Sequence, residues 1–126
     1  MAQHPTNHLL QALSTSDFNL LQPQLQSIEL VRETVLIEAS APLTRVYLPE
    51  SGIVSIVTRL SGGQRIEIAV TGRDSIVGAS AAFGEVMSPS EASVLLPGSA
   101  FMLNVANLRA ASDRSAAFRA LLARHE

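Results

Sequence analysis

The stretch Ile53-Val54-Ser55-Ile56-Val57-Thr58-Arg59-Leu60-Ser61-Gly62-Gly63-Gln64-Arg65-Ile66-Glu67-Ile68-Ala69-Val70-Thr71 decides the fold class. Ile and Val crowd its first half, and Ser61 to Gln64 are turn-forming. In the second half Ile66, Ile68 and Val70 face one way, and Arg65, Glu67 and Thr71 the other. β-Branched residues at a period of two, interrupted by a Gly-Gly turn, predict an antiparallel hairpin.

The same pattern continues on both sides. Upstream, Ile28, Leu30, Val35 and Ile37 are interspersed with Glu29, Glu33 and Glu38. Arg45 to Leu48 then reads as a strand that Pro49-Glu50-Ser51-Gly52 breaks. Downstream, Ser93 to Leu96, Pro97-Gly98 and Ala100 to Leu103 read as a second hairpin. Between the hairpins, Ser75 to Ser90 reads as a connector with about one helical turn at Ala79 to Phe83. The ends are helical. His8 to Leu13 carries apolar residues on one side, and Ser16 or Asp17 caps a helix through Phe18, Leu20 and Leu21 that Pro23 stops. Asn104 is placed to cap Val105 to Ala111, and Ser112 or Asp113 starts a last helix striped by Ala117, Leu121 and Leu122. The expected architecture is mainly β: a double-stranded β-helix, or jelly-roll-like β-roll. Residues 1–26 form its N-terminal helices, 27–104 the roll and 105–126 the C-terminal helices.

Composition narrows the function classes. With 126 residues, 47% hydrophobic and 16% charged, the chain fits one folded domain. The net charge is −2, and all nine basic residues are arginines without a run, so this chain is not expected to grip nucleic acid by itself. With no cysteine there is no disulfide and no thiolate metal site. No stretch approaches the roughly 20 apolar residues that span a bilayer, and the N-terminus lacks a basic, then apolar, leader. A soluble, cytoplasmic protein without membrane contact is expected.

Catalytic and metal chemistry find no support. His4 and His8 lie in the N-terminal arm and His125 next to the end, so no histidine falls on a strand to ligate a metal or to activate a serine. Gly62-Gly63 lacks the following lysine of a phosphate loop. The expectation is no enzyme, no metal and no cofactor. Arg73-Asp74 reads as a surface turn with a local ion pair, and Tyr47 as a strand residue half buried in the roll.

The run Val46-Tyr47-Leu48-Pro49-Glu50-Ser51-Gly52-Ile53-Val54-Ser55, then Gly63, then Gly72-Arg73-Asp74-Ser75-Ile76-Val77-Gly78, resembles the cyclic-nucleotide-binding-like sensor domain of Crp/Fnr-type bacterial transcription regulators. The resemblance runs from about His8 to the end. It implies a β-roll with short N-terminal helices and a long C-terminal helix that pairs two subunits. It also implies that the Pro-Glu-Ser-Gly loop borders the ligand cavity. The family's phosphate-binding cassette maps onto Gly78, Ala79, Ser80 and Ala81, continues through Glu85, and exits at Ser90 and Glu91.

The cassette departs from the cyclic-AMP pattern. Ala79 stands where cyclic-AMP-binding members have the ribose-binding Glu, and Ser90-Glu91 where an Arg-Ser or Arg-Thr pair is expected. No Arg or Lys occurs between Asp74 and Leu108. Each charge-assisted hydrogen bond contributes about 1.5–3 kcal/mol, so cyclic nucleotide binding is disfavoured, and Glu91 near the anion would oppose it further. The expected function is an allosteric sensor for an unidentified small molecule, a homodimer through the C-terminal helix. DNA would be read only by a helix-turn-helix domain not present in these residues. The alternative is a ligand-free dimerisation or protein-interaction module with the same fold.

Overall fold

The computed structural model describes residues 5–125, so His4 and Glu126 lie outside the described residues. The strands are β1 (Gln26–Leu30), β2 (Val35–Ile37), β3 (Arg45–Pro49), β4 (Ile53–Arg59), β5 (Arg65–Thr71), β6 (Glu91–Leu96) and β7 (Gly98–Asn104). One sheet has the order β1-β7-β3 and the other β2-β6-β4-β5, with antiparallel neighbours throughout. Their inward faces share one core, in which Val46, Leu48, Val54, Val94, Ala100 and Leu103 are buried. This is the expected mainly-β roll.

The hairpin of β4 and β5 forms as read, with one correction. Ile56 pairs with Ala69 and Val57 with Glu67, which leaves Ile68 as an extra residue in a bulge. The bulge reverses the alternation, so Val70, opposite Ser55, and Ile66, opposite Thr58, point to opposite faces instead of sharing one. The second hairpin is also corrected. β6 pairs with β4 and β2, whereas β7 pairs with β1 and β3, so Pro97 carries the chain from one sheet to the other. A single linking proline has no N–H and a fixed φ, and does not close a two-residue hairpin loop. The crossing is tight: a Cβ on Gly98 would lie 2.4 Å from the Ser51 carbonyl, and one on Gly52 2.6 Å from the Leu96 oxygen.

Tyr47 is buried rather than half buried, because β3 is covered on both sides. Val77 bridges to it through paired backbone bonds of 2.8 and 3.1 Å, and its hydroxyl donates to the Leu36 carbonyl at 3.2 Å.

The helices are α1 (His8–Gln11), α2 (Thr15–Leu21), α3 (Val105–Arg114) and α4 (Ala116–Ala123). Three caps differ from expectation. Ser14, not Ser16 or Asp17, caps α2, its Oγ accepting from the Asp17 N–H at 3.1 Å. Asn104 sits at the head of α3 without a side-chain cap bond, and α3 runs through Ser112 and Asp113. Ser115 then caps α4, its Oγ accepting from the Phe118 N–H at 3.1 Å. Phe118 and Leu122 are buried against the roll, Leu121 is half buried, and Ala117 is exposed.

Asn7, which the sequence reading passed over, ties the N-terminal arm down. It is fully buried; Oδ1 accepts from the Leu9 and Leu10 N–H groups at 3.0 and 3.2 Å, and Nδ2 donates to the Pro49 and Ser75 carbonyls at 2.8 Å each. The Glu50 carboxylate accepts from the backbone N–H groups of Thr6 and Asn7.

Candidate functional site

The connector between β5 and β6 begins with Ile76 and Val77 buried against β3 and turns at Gly78, whose φ is 98°. A left-handed φ suits glycine, and a Cβ there would meet Val46 Cγ1 at 3.0 Å. A 3-10 turn, Ala79–Phe83, follows and ends at Gly84. Ala79 and Ala81 are buried, which presses the turn onto the roll. Ala81 donates its N–H to the Gly78 carbonyl at 3.1 Å.

Beside this turn lies a cavity of about 370 Å³. Ile37, Leu43, Ile56, Ile68 and Ile76 supply apolar wall, and Thr71, Ser80, Ser88, Ser90, Glu85 and His125 supply polar groups. Of the residues expected in the cassette, Gly78, Ala79, Ser80, Ser90 and Glu91 line the cavity; Ala81 does not, being fully buried. The Ser80 hydroxyl donates to Glu85 Oε1 at 3.0 Å, and the Ser88 hydroxyl to the Ser90 carbonyl at 2.6 Å. Among the described residues, no Arg or Lys lines the cavity.

Two arginines distant in sequence are nevertheless brought to the cassette, which a scan of Asp74 to Leu108 could not find. Arg65 forms an ion pair with Glu91 across β4, so Glu91 is neutralised by a partner rather than standing as a bare charge beside an anion. Ala92 and Val94 are buried on the core side, and strand alternation turns Glu91 the other way. Arg109, on α3, reaches the turn from behind: its Nε donates to the Ala81 carbonyl at 2.9 Å and its Nη2 to the Glu85 carbonyl at 3.3 Å.

His125, just after α4, lines the cavity and shares a 2.8 Å hydrogen bond between Nδ1 and Ser75 Oγ. Nothing local in the sequence links these residues; only the packing of α4 on the roll does. The Pro-Glu-Ser-Gly loop does not border this cavity. Glu50, Ser51 and Gly52 line a separate depression with His8 and Asp74. Arg73 and Asp74 form an exposed turn without the expected ion pair, the only ion pairs among the described residues being Arg65–Glu91 and Arg119–Asp113. Among the described residues no three His, Asp or Glu side chains converge as metal ligands.

This arrangement, a short turn between two strands of a roll beside a cavity closed by C-terminal residues, agrees with the family comparison. The model of the cyclic nucleotide-binding domain matches residues 27–115, from β1 to the end of α3. The chain belongs to the cyclic nucleotide-binding domain family. Solved structures share the domain's fold. The sensor domain of the transcriptional regulator DNR from Pseudomonas aeruginosa is 21% identical with a TM-score of 0.77, over 93% of this chain and 79% of that one. The N-terminal domain of a transcriptional regulator from Streptomyces coelicolor is 20% identical with a TM-score of 0.73, over 94% and 83%. The catabolite activator protein of Thermus thermophilus is 19% identical with a TM-score of 0.73, over 93% of this chain and 53% of its own. No curated protein matches by sequence. No helix among the described residues is long and apolar enough to cross a membrane.

Proposed function

We propose that this cyclic nucleotide-binding domain is the ligand-sensing part of a Crp/Fnr-type bacterial transcription regulator, cytoplasmic and regulatory rather than catalytic, and that it does not take cyclic AMP in the usual way. What supports the reading is the pair of ties between the β5–β6 connector and the C-terminal helices, one on the cassette turn and one just before it. Arg109 holds the turn from α3, and His125 reaches Ser75 from the end of α4. An effector that enters the cavity contacts the same turn, so its differential affinity for two turn positions becomes a shift in the helices. In a Crp/Fnr-type regulator those helices pair two subunits and lead to the DNA-reading domain.

A screen of small metabolites by thermal shift tests this. A sensor gains RT ln(1 + [L]/Kd), about 2.7 kcal/mol at a hundredfold excess over Kd, and amide exchange in α3 and α4 slows with it. Absence of any stabilising metabolite favours the ligand-free interaction module. Pairing through the C-terminal helix is tested by Leu121→Glu, which is expected to move a dimer to monomer in sedimentation; an unchanged dimer places the contact elsewhere.

A further inference from the structure

Away from the cassette, a second depression of about 210 Å³ opens where the loop after β2 turns back into β3. Glu38, the first residue after β2, and Arg45, the first of β3, both line it. Among the described residues neither enters an ion pair or a side-chain hydrogen bond. Two hydroxyl groups complete its polar side chains, those of Thr44 and Tyr47. Tyr47 is buried and donates its proton to the Leu36 carbonyl, which leaves its oxygen as an acceptor. Leu36 and Leu43 supply apolar wall. The frame that carries these groups is braced: the Ser40 N–H donates to the Ser88 carbonyl at 2.7 Å, and the Leu43 N–H to the Val86 carbonyl at 2.8 Å. Ser40 is held at a φ of 63°, a left-handed conformation uncommon for a residue with a side chain.

A ligand of one charge sign meets one attracting and one opposing group here, whereas a zwitterion satisfies both. The volume lies below the roughly 300 Å³ at which sites for drug-sized ligands begin, so the zwitterion must be small. We propose that this depression binds a free α-amino acid with a short aliphatic side chain, its carboxylate on the Arg45 guanidinium, its ammonium on Glu38 and its side chain against Leu36 and Leu43. The planar fork of an arginine matches a carboxylate in geometry as well as charge. Only Ile37 and Leu43 line both this depression and the cassette cavity, so the proposal goes beyond the sensor reading and stands without it.

L-valine and two of its fragments isolate the two charges: 3-methylbutanoate lacks the ammonium and 2-methylpropylamine the carboxylate. Titrations of the intact chain followed by amide NMR are expected to show saturable shifts in residues 38–47 with L-valine or L-alanine, with a Kd of about 1 mM or tighter. Each fragment is expected to bind at least about tenfold more weakly than L-valine, the loss of one charge-assisted contact. Glu38→Gln and Arg45→Gln are each expected to weaken the amino acid by about tenfold. Both side chains are exposed, so the fold tolerates either change, and the amide spectrum verifies it. Arg59→Gln, on the β4–β5 hairpin, is the control and is expected to leave binding unchanged. Absence of shifts in 38–47 with either amino acid at about 10 mM overturns the proposal. So does a fragment that binds as tightly as L-valine, or unchanged binding in both the Glu38 and the Arg45 variants.

Discussion

The N-terminal arm and the cassette both dock on β3, and they do so by opposite means. The arm is fixed by a buried side chain, Asn7, with each of its polar atoms bonded to backbone and with Glu50 adding bonds from outside. The cassette is fixed at its start by the Val77–Tyr47 bridge. Beyond that point Phe83, Val86 and Met87 are exposed, Arg109 clamps the turn at the Ala81 and Glu85 carbonyls, and backbone bonds with residues 40–43 hold 86–88. A fully buried side chain bonded to backbone needs more of the surrounding structure to open before it releases than a guanidinium reaching two carbonyls from a neighbouring helix. The arm's anchor therefore ends on β3 at Pro49, whereas the clamp on the turn comes from α3.

The largest test removes the stable anchor. Asn7→Ala leaves the Pro49 and Ser75 carbonyls and the head of α1 without their partner, and is expected to cost about 2–4 kcal/mol in urea unfolding. Amide exchange in residues 79–85 that proceeds through local opening is expected to stay unchanged. A cost below about 1 kcal/mol would make the arm no firmer than the cassette. Next, Gly78→Ala forces a left-handed alanine against Val46 and is expected to cost about 1–2 kcal/mol; a neutral result in the same unfolding measurement would mean that the turn relaxes freely. Arg109→Met keeps the aliphatic stem and removes the clamp. Its expected cost is about 1 kcal/mol, with exchange at 79–85 accelerated about fivefold by mass spectrometry. If exchange is unmoved, the turn is held by the roll alone and the contrast with Asn7 fails. The smallest effect belongs to Arg65→Gln, which releases a half-exposed ion pair and is expected to change stability by less than about 1 kcal/mol.

What the sequence made legible follows from the range of each interaction. The strands, the Gly-Gly turn and the short helical segment at Ala79 are local patterns, and these elements appear where read. The position of β7 was not legible, because Pro97-Gly98 has the look of a hairpin turn and only the sheet pairings show the crossing. The Ile68 bulge inverted a face that perfect alternation would have kept. Ser115 was overlooked as a helix cap because Ser112 and Asp113 are equally good cap residues and lie closer to the preceding apolar stripe. The cassette segment could be placed by motif, but its supports could not. Arg65 reaches Glu91 over a strand, Arg109 comes from a helix, and His125 meets Ser75 across 50 residues.

The contact of Gly52 with the β6–β7 crossing has a mechanical consequence. Ser51, Gly52 and Gly98 stack backbone on backbone at one end of the roll, while the β4–β5 turn at 60–64 and the cavity mouth around Ser90 lie toward the other. For sheets held together at one end, any displacement imposed by an occupant is expected to be least at that end and to grow along β4 and β5. Spectroscopic labels meant to detect occupancy therefore belong near Gly62, and a pair at Ser51 and Ser99 serves as the fixed reference.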